Sequence, residues 1–303
     1  MNLNVLVTGA GGLIGRQLLP ALLSRGHRVV AAYRQAPAAA IPCHAVIGDL
    51  FEASVRAEAF RALRNNNDNE CAVVHLAGLA NAATARADRT NAFVANAVLT
   101  RDMLESTLAA GARRFLLAST GYVYGDGAHE PFRETQPPQP RSVYAATKLA
   151  AEAMVHGYAW EGQIAGEILR IANVFGADSP AATVSGRILS QLRRGEPVTV
   201  ASRQPVRDFI FVADVAAAIC AMLESTASAG CRVTNVSTGI GVSVGQFVDT
   251  AIAAAGSNAA PVPPATEAGE DSLILSNELI RNRTGWSPRY SLFEGLKCCL
   301  SAA

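Results

Sequence analysis

The sequence predicts an α/β fold, a doubly wound parallel sheet with a smaller C-terminal lobe. Three observations predict it. The apolar run Leu3-Asn4-Val5-Leu6-Val7 leads directly into Thr8-Gly9-Ala10-Gly11-Gly12-Leu13-Ile14-Gly15 and then into Arg16-Gln17-Leu18-Leu19-Pro20-Ala21-Leu22-Leu23, in the order strand, glycine turn, helix. The rest of the first half alternates apolar strands with helical segments, the pattern of a parallel sheet with helices on both faces. Beyond Gly176 the alternation becomes irregular, and Pro180, Pro197, Pro205, Pro261, Pro263 and Pro264 punctuate shorter elements.

Taken in order, apolar runs place strands at 4–8, 28–33, 44–48, 72–76 and 113–119. An Ala-rich stretch reads as one long helix over 92–109, stopped by Gly111. Residues 131–140 hold Pro131, Pro137, Pro138 and Pro140, which excludes helix and central strand and leaves a surface connection. A helix follows over 143–160 and a strand over 168–171. The division expected is a dinucleotide-binding Rossmann domain over 1–171 and a smaller substrate-binding lobe over 172–303, interleaved with late strands of the sheet. Ligands of such sheets lie beyond the carboxyl ends of the strands, so the cleft between the lobes is the expected substrate site.

Composition narrows the function classes. Lys+Arg 26 nearly cancels Asp+Glu 25 over 303 residues, without the basic excess that nucleic-acid or membrane-surface binding requires. No apolar stretch approaches the ~20 residues that span a bilayer. The first strand begins at Leu3, and the expectation is a cytoplasmic protein without a signal peptide. Cys43, Cys71, Cys220, Cys231, Cys298 and Cys299 have neither paired spacing nor neighbouring histidines, so no metal site and no disulfide framework is expected. Most are expected to be small buried hydrophobes, with Cys298 and Cys299 on a terminal helix.

The glycine turn lets the main chain approach a pyrophosphate while the N–H groups and dipole of the next helix face its charge. The second constellation is Tyr144-Ala145-Ala146-Thr147-Lys148. On a helix these two side chains share a face, and a fixed cation lowers the pKa of a phenol from about 10, making it a base. Ser119-Thr120-Gly121-Tyr122-Val123-Tyr124-Gly125 follows a strand, putting Ser119 or Thr120 at the carboxyl edge of the sheet.

With these residues the chain resembles the extended short-chain dehydrogenase/reductase superfamily, the NAD(P)-dependent nucleotide-sugar epimerase and dehydratase group, along nearly its whole length. The family's glycine turn matches residues 8–15. Its Gly-Asp-Leu segment matches Gly48-Asp49-Leu50, and its His-Leu-Ala-Ala strand end matches His75-Leu76-Ala77-Gly78. Its helical Asn-x-x-x-Thr matches Asn96 and Thr100. The Arg-x-x-Asn-Val-Tyr-Gly segment appears as Arg170-Ile171-Ala172-Asn173-Val174-Phe175-Gly176, and the Arg-Asp-Phe-Ile segment as Arg207-Asp208-Phe209-Ile210.

The resemblance implies hydride transfer at a sugar carbon of a nucleoside-diphosphate sugar. Tyr144 would move the hydroxyl proton, Lys148 would hold the cofactor ribose, and Thr120, seconded by Ser119, would bond the reacting oxygen. Gly9, Gly12, Leu13, Ile14, Gly15, Asp49, Leu50, Leu76, Ala77, Gly78 and Asn96 would line the cofactor. Arg207 would bind the substrate diphosphate, the alternative being a surface pair with Asp208. Asn173 is either a phosphate contact or a cap on the turn at Gly176. His75 is expected to pack, and Asp214 to cap a helix over 215–223. The two Ala-rich helices resemble the family's dimerising pair, so a homodimer is expected.

Three departures qualify the resemblance. The second strand ends Ala31-Ala32-Tyr33-Arg34 without the carboxylate that accepts the ribose hydroxyls of NAD, and Arg34 there leans to NADP, the alternatives being an arginine stacked over adenine or turned into solvent. Gly121 and Tyr122 replace the Asp-Glu pair of family dehydratases, which argues against water elimination. Glu267-Ala268-Gly269-Glu270-Asp271 stands where relatives carry a second phosphate-binding arginine. The expected activity is nucleotide-sugar epimerisation, with NADPH-dependent ketoreduction next and a non-catalytic NADP sensor third.

Overall fold

The computed structural model describes every residue except 1, 39–41, 65–69, 126–129, 228, 258–261, 263–270 and 302–303. The chain begins β1 (Asn4–Thr8), α1 (Leu13–Leu23), β2 (Arg28–Tyr33), β3 (His44–Ile47), α2 (Ala53–Arg64) and β4 (Cys71–His75). It continues through α3 (Ala82–Ala87), α4 (Arg89–Phe93), α5 (Leu99–Ala109), β5 (Arg114–Thr120), α6 (Val143–Trp160), β6 (Ala165–Ile171) and β7 (Asn173–Phe175). The remainder is α7 (Val184–Arg193), β8 (Val206–Phe211), α8 (Val212–Glu224), β9 (Gly230–Val236), β10 (Gly241–Ser243), α9 (Val244–Ala254), β11 (Ser272–Leu273), α10 (Glu278–Thr284) and α11 (Leu292–Ser301).

Seven parallel strands form one sheet in the order β3-β2-β1-β4-β5-β6-β9. All five residues of β1 are buried, as expected of a parallel strand covered on both faces. Alternate residues serve opposite faces. Val5 and Val7 join Leu18 and Leu22 of α1 and Ile219 and Leu223 of α8. Leu6 faces the other way, into Phe60, Leu63, Met103 and Val155. The strand order reverses between β1 and β4, and the carboxyl ends of β1, β4, β5 and β6 share one edge of the sheet.

The smaller sheet is mixed. β8 sits between antiparallel β10 and parallel β11, and β7 also pairs with it in parallel. Phe175, Ile188, Phe209, Phe247 and Leu296 fill its core, with the Phe209 and Phe247 rings 4.4 Å apart.

Several elements differ from expectation. The helix expected over 92–109 begins at Arg89 and is interrupted by a π-helical turn over Val94–Val98, since an extra residue per turn leaves the apolar pattern almost unchanged. β6 starts at Ala165, three residues before the apolar run is evident. The proline-rich 131–140 segment contains no helix or strand, yet Phe132 is buried and bridges to Leu275. Of the 267–271 segment only Asp271 is among the described residues, and Pro261, Pro263 and Pro264 lie outside them. Only Cys220 and Cys299 are fully buried; Cys43, Cys71 and Cys231 are half-buried and Cys298 is exposed. Among the described residues no helix is long and apolar enough to cross a membrane.

Candidate active site

The turn after β1 is shaped by backbone approach. Gly9 has φ +66°, and a Cβ there would lie 2.7 Å from the Ala77 amide nitrogen at the end of β4. A Cβ on Gly15 would lie 2.6 Å from the carbonyl oxygens of Gly9 and Ala10, so α1 closes directly onto the turn. Gly12 caps α1 without a side chain, and the first-turn N–H groups remain available to an anion. This cradle and its donors fit a dinucleotide pyrophosphate. Leu13 and Ile14 are half-buried beside it, as are Leu76 and Ala77, while Gly78 is exposed. Leu50 is buried, and the exposed Asp49 accepts from the Phe51 amide at 3.0 Å. Arg34 is exposed at the end of β2 and pairs with no described residue.

Asn96, carried by the π-helical turn, ties this edge together. Its Oδ1 accepts from the Leu79 amide at 2.8 Å, and its Nδ2 donates to Thr147 Oγ1 of α6 at 2.9 Å. His75 is 1% exposed, shares a 2.8 Å hydrogen bond with Thr8 and leaves Nε2 without a partner. Burial, helped by the Lys148 charge, drops its pKa to about 3, so it is a neutral packing group.

Helix α6 starts where Ser142 accepts from the Ala145 amide at 3.1 Å, and this start sets Tyr144 and Lys148 one turn apart. Thr120, the last residue of β5, meets the Tyr144 phenol. Burial pushes that phenol up to about 12; the Thr120 hydrogen bond opposes the rise and the Tyr122 phenol adds to it. Burial also lowers Lys148 to about 8, against the pull of the Glu152 carboxylate. The expectation that Lys148 lowers Tyr144 is therefore corrected for this structure. Desolvation dominates both groups, because it disfavours phenolate and ammonium alike.

Ser119 and Thr120 part company. The Ser119 hydroxyl donates to Glu152, which is 1% exposed and is gripped by Arg170 through Nε at 3.2 Å and Nη2 at 2.7 Å. Arg170 in turn lies 4.6 Å from the centre of the Tyr124 ring. Of the two hydroxyls at the end of β5, only Thr120 is left beside Tyr144. Glu152 escaped the sequence reading although it lies four residues after Lys148, where a shared helix face announces it.

Asn173 donates from Nδ2 to the Tyr122 hydroxyl at 3.0 Å. It does not cap the turn at Gly176, whose amide is taken by Ser179 Oγ at 2.9 Å. Arg207 is not paired with Asp208. It donates to Asp271, to the Asp271 carbonyl at 2.8 Å and to that of Val206 at 2.8 Å, and it lies beside Tyr122. Asp208 instead accepts from Thr238 and Gly239, within the loop after β9. Asp214 sits inside α8 rather than capping it, and accepts from the Arg289 and Tyr290 amides. The cluster at the carboxyl edge thus comprises Thr120, Tyr122, Tyr144, Lys148, Asn173 and Arg207, of which Tyr122 was not anticipated. Its signal was position, two residues past a strand-end hydroxyl.

Residues 5–237 match the model of the NAD dependent epimerase/dehydratase family. The chain is 30% identical to UDP-glucose 4-epimerase of Azospirillum brasilense over 96% of its length and 89% of that protein. It is 29% identical to dTDP-6-deoxy-L-talose 4-dehydrogenase (NAD(P)(+)) of Kitasatospora kifunensis, covering 97% of this chain and 93% of the relative. Among solved structures, UDP-glucose 4-epimerase of Thermus thermophilus in complex with NAD superposes with a TM-score of 0.85 at 29% identity, covering 98% of this chain and 97% of the other.

Proposed function

We propose that this chain, which belongs to the NAD dependent epimerase/dehydratase family, is a nucleotide-sugar epimerase acting at a ring carbon, C4, of a nucleoside-diphosphate sugar. The observation that carries this is likeness to a UDP-glucose 4-epimerase along 96% of the chain, with Thr120, Tyr144 and Lys148 at one sheet edge. The pyrophosphate of the cofactor would rest on the turn from Gly9 to Gly15, and Lys148 would hold its ribose. When bound, the nicotinamide supplies a hydride acceptor and donor and a positive charge. Tyr144 takes the proton of the sugar hydroxyl and later returns it to the oxygen of the transient ketone, whose opposite face must by then be the one turned to the cofactor. Thr120 Oγ1 bonds the reacting oxygen in both states, since a hydroxyl donates and accepts. Arg207 holds the diphosphate with Asn173 beside it. Gly121 and Tyr122 provide no acid–base pair for water elimination.

The second reading is net ketoreduction with NADPH. Arg34 favours it: exposed at the end of β2, with no carboxylate beside it, its guanidinium suits a 2′-phosphate, and one relative is named for NAD(P)(+). NADP is therefore the proposed cofactor ahead of NAD, and the proposed assembly is a homodimer packed through α5 and α6.

One experiment separates the two activities. UDP-, dTDP- and GDP-hexoses and their 4-keto forms are incubated with the protein and either nicotinamide cofactor, with absorbance and product configuration followed together. Interconversion of alcohol epimers at constant nicotinamide absorbance is the expected result. Loss of one NADPH per product from a keto-sugar, without epimer interconversion, transfers the assignment to the reductase.

A further inference from the structure

The turn after β5 holds one large side chain in the open between fixed neighbours. Thr120 Oγ1 accepts from the Tyr122 amide at 3.3 Å, closing the turn. Gly121 is pressed so tightly that a Cβ would lie 2.8 Å from Leu275 Cδ1. Val123 and Tyr124 are buried, and Tyr124 stacks on Phe132 at 5.1 Å and donates to Asn235 at 2.8 Å. Tyr122, between them, is 36% exposed. A ring so rigidly mounted loses little entropy when a ligand packs on it.

Its hydroxyl stands among the groups of the site. It accepts from Asn173 Nδ2 at 3.0 Å, lies beside the Arg207 guanidinium and is close enough to Tyr144 to act on that phenol. It donates to no described residue, so its proton is unspent. Asn173 Oδ1 is buried and has no donor. One donor and one acceptor are therefore left on a single hydrogen-bonded pair, between the guanidinium and the phenol that flank it. An alcohol, which both accepts and donates, completes such a pair.

We propose that Tyr122, backed by Asn173, is a substrate-contacting residue that binds a sugar hydroxyl between the phosphates held at Arg207 and the carbon presented to Tyr144. This rests on the nucleotide-sugar reading above. It makes Tyr122 a selector of the hexose, whereas the nucleotide is held elsewhere.

The test is calorimetric titration of UDP and of UDP-glucose into the cofactor-loaded parent protein and its Tyr122→Phe variant, with cofactor titration confirming that the variant is folded. The expected result is UDP affinity within about twofold of the parent and UDP-glucose affinity about tenfold weaker, the effect of one lost hydrogen bond. KM for the hexose should rise more than kcat falls. Equal loss of both ligands, or no loss of either, overturns the assignment of Tyr122 while leaving the nucleotide-sugar reading intact. A parent protein that binds no UDP-, dTDP- or GDP-hexose overturns the reading on which the proposal rests.

Discussion

A tyrosine whose phenol is held at about 12 is a poor base at neutral pH until positive charge approaches it. Tyr144 therefore gains its proposed role only as the cationic nicotinamide enters its cleft. Tyr144→Phe removes one hydroxyl and little packing, so NAD(P)H affinity should persist while turnover falls by ~10²–10⁴. Near-normal turnover in the purified variant removes Tyr144 from the mechanism. His75 offers a prediction about stability. Folded, it takes up a proton only near pH 3, whereas the unfolded chain does so near 6.5, so the unfolded state binds more protons between those values. Stability from this group is complete above about pH 6.5 and is lost toward pH 3, by up to about 1.4 kcal/mol per pH unit. Urea unfolding at pH 4, 5, 6 and 7 should show that slope, and His75→Gln should flatten it. An unchanged slope in the variant places the acid sensitivity elsewhere.

At the scale of elements, the same local forces explain what the sequence disclosed and what it withheld. β1, β2 and α6 were legible to the residue because apolar runs end at a glycine turn, at Arg34 and at Gly162, and because Ser142 caps the helix. The π-helical turn was not, since Val94, Ala97 and Val98 satisfy either helical period. Nor were pairings that join distant residues, such as Arg207 with Asp271 or Ser119 with Glu152: nothing local to Arg207 announces that its guanidinium shares its donors with a carboxylate 64 residues away. The π-helical turn has a consequence of its own, because it aims Asn96 at both the Leu79 amide and Thr147. Asn96→Ala leaves a partly buried amide without an acceptor and should cost about 1–3 kcal/mol, read as a lower urea midpoint at constant m. Cofactor affinity should fall with it, since the Leu76–Ala77–Gly78 edge loses its tie to α6. A variant as stable as the parent would mean that water replaces the side chain fully.

For the whole molecule, the two parts of the chain are joined through the sheet itself. β9 pairs with β6 along Ala165–Ile171, and α8 covers one face of the sheet with Val215, Ile219, Met222 and Leu223 packed among Val5, Val7 and Leu22. Ile280 and Trp286, farther on still, belong to the same core. A chain ending at residue 171 would expose Leu169 and part of the Val5–Val7 face together and would leave β6 as an open edge of the sheet. The part proposed to bind the dinucleotide should therefore not fold alone, although it contains the glycine turn, Thr120, Tyr144 and Lys148. The full chain should unfold in one transition, with far-ultraviolet circular dichroism and the fluorescence of Trp160 and Trp286 changing together in urea. The 1–171 fragment should show no cooperative transition and no nicotinamide binding. A fragment that unfolds cooperatively and retains the cofactor would mean that the elements after residue 171 serve the substrate alone, and that β9 and α8 are accessories to a sheet able to stand without them.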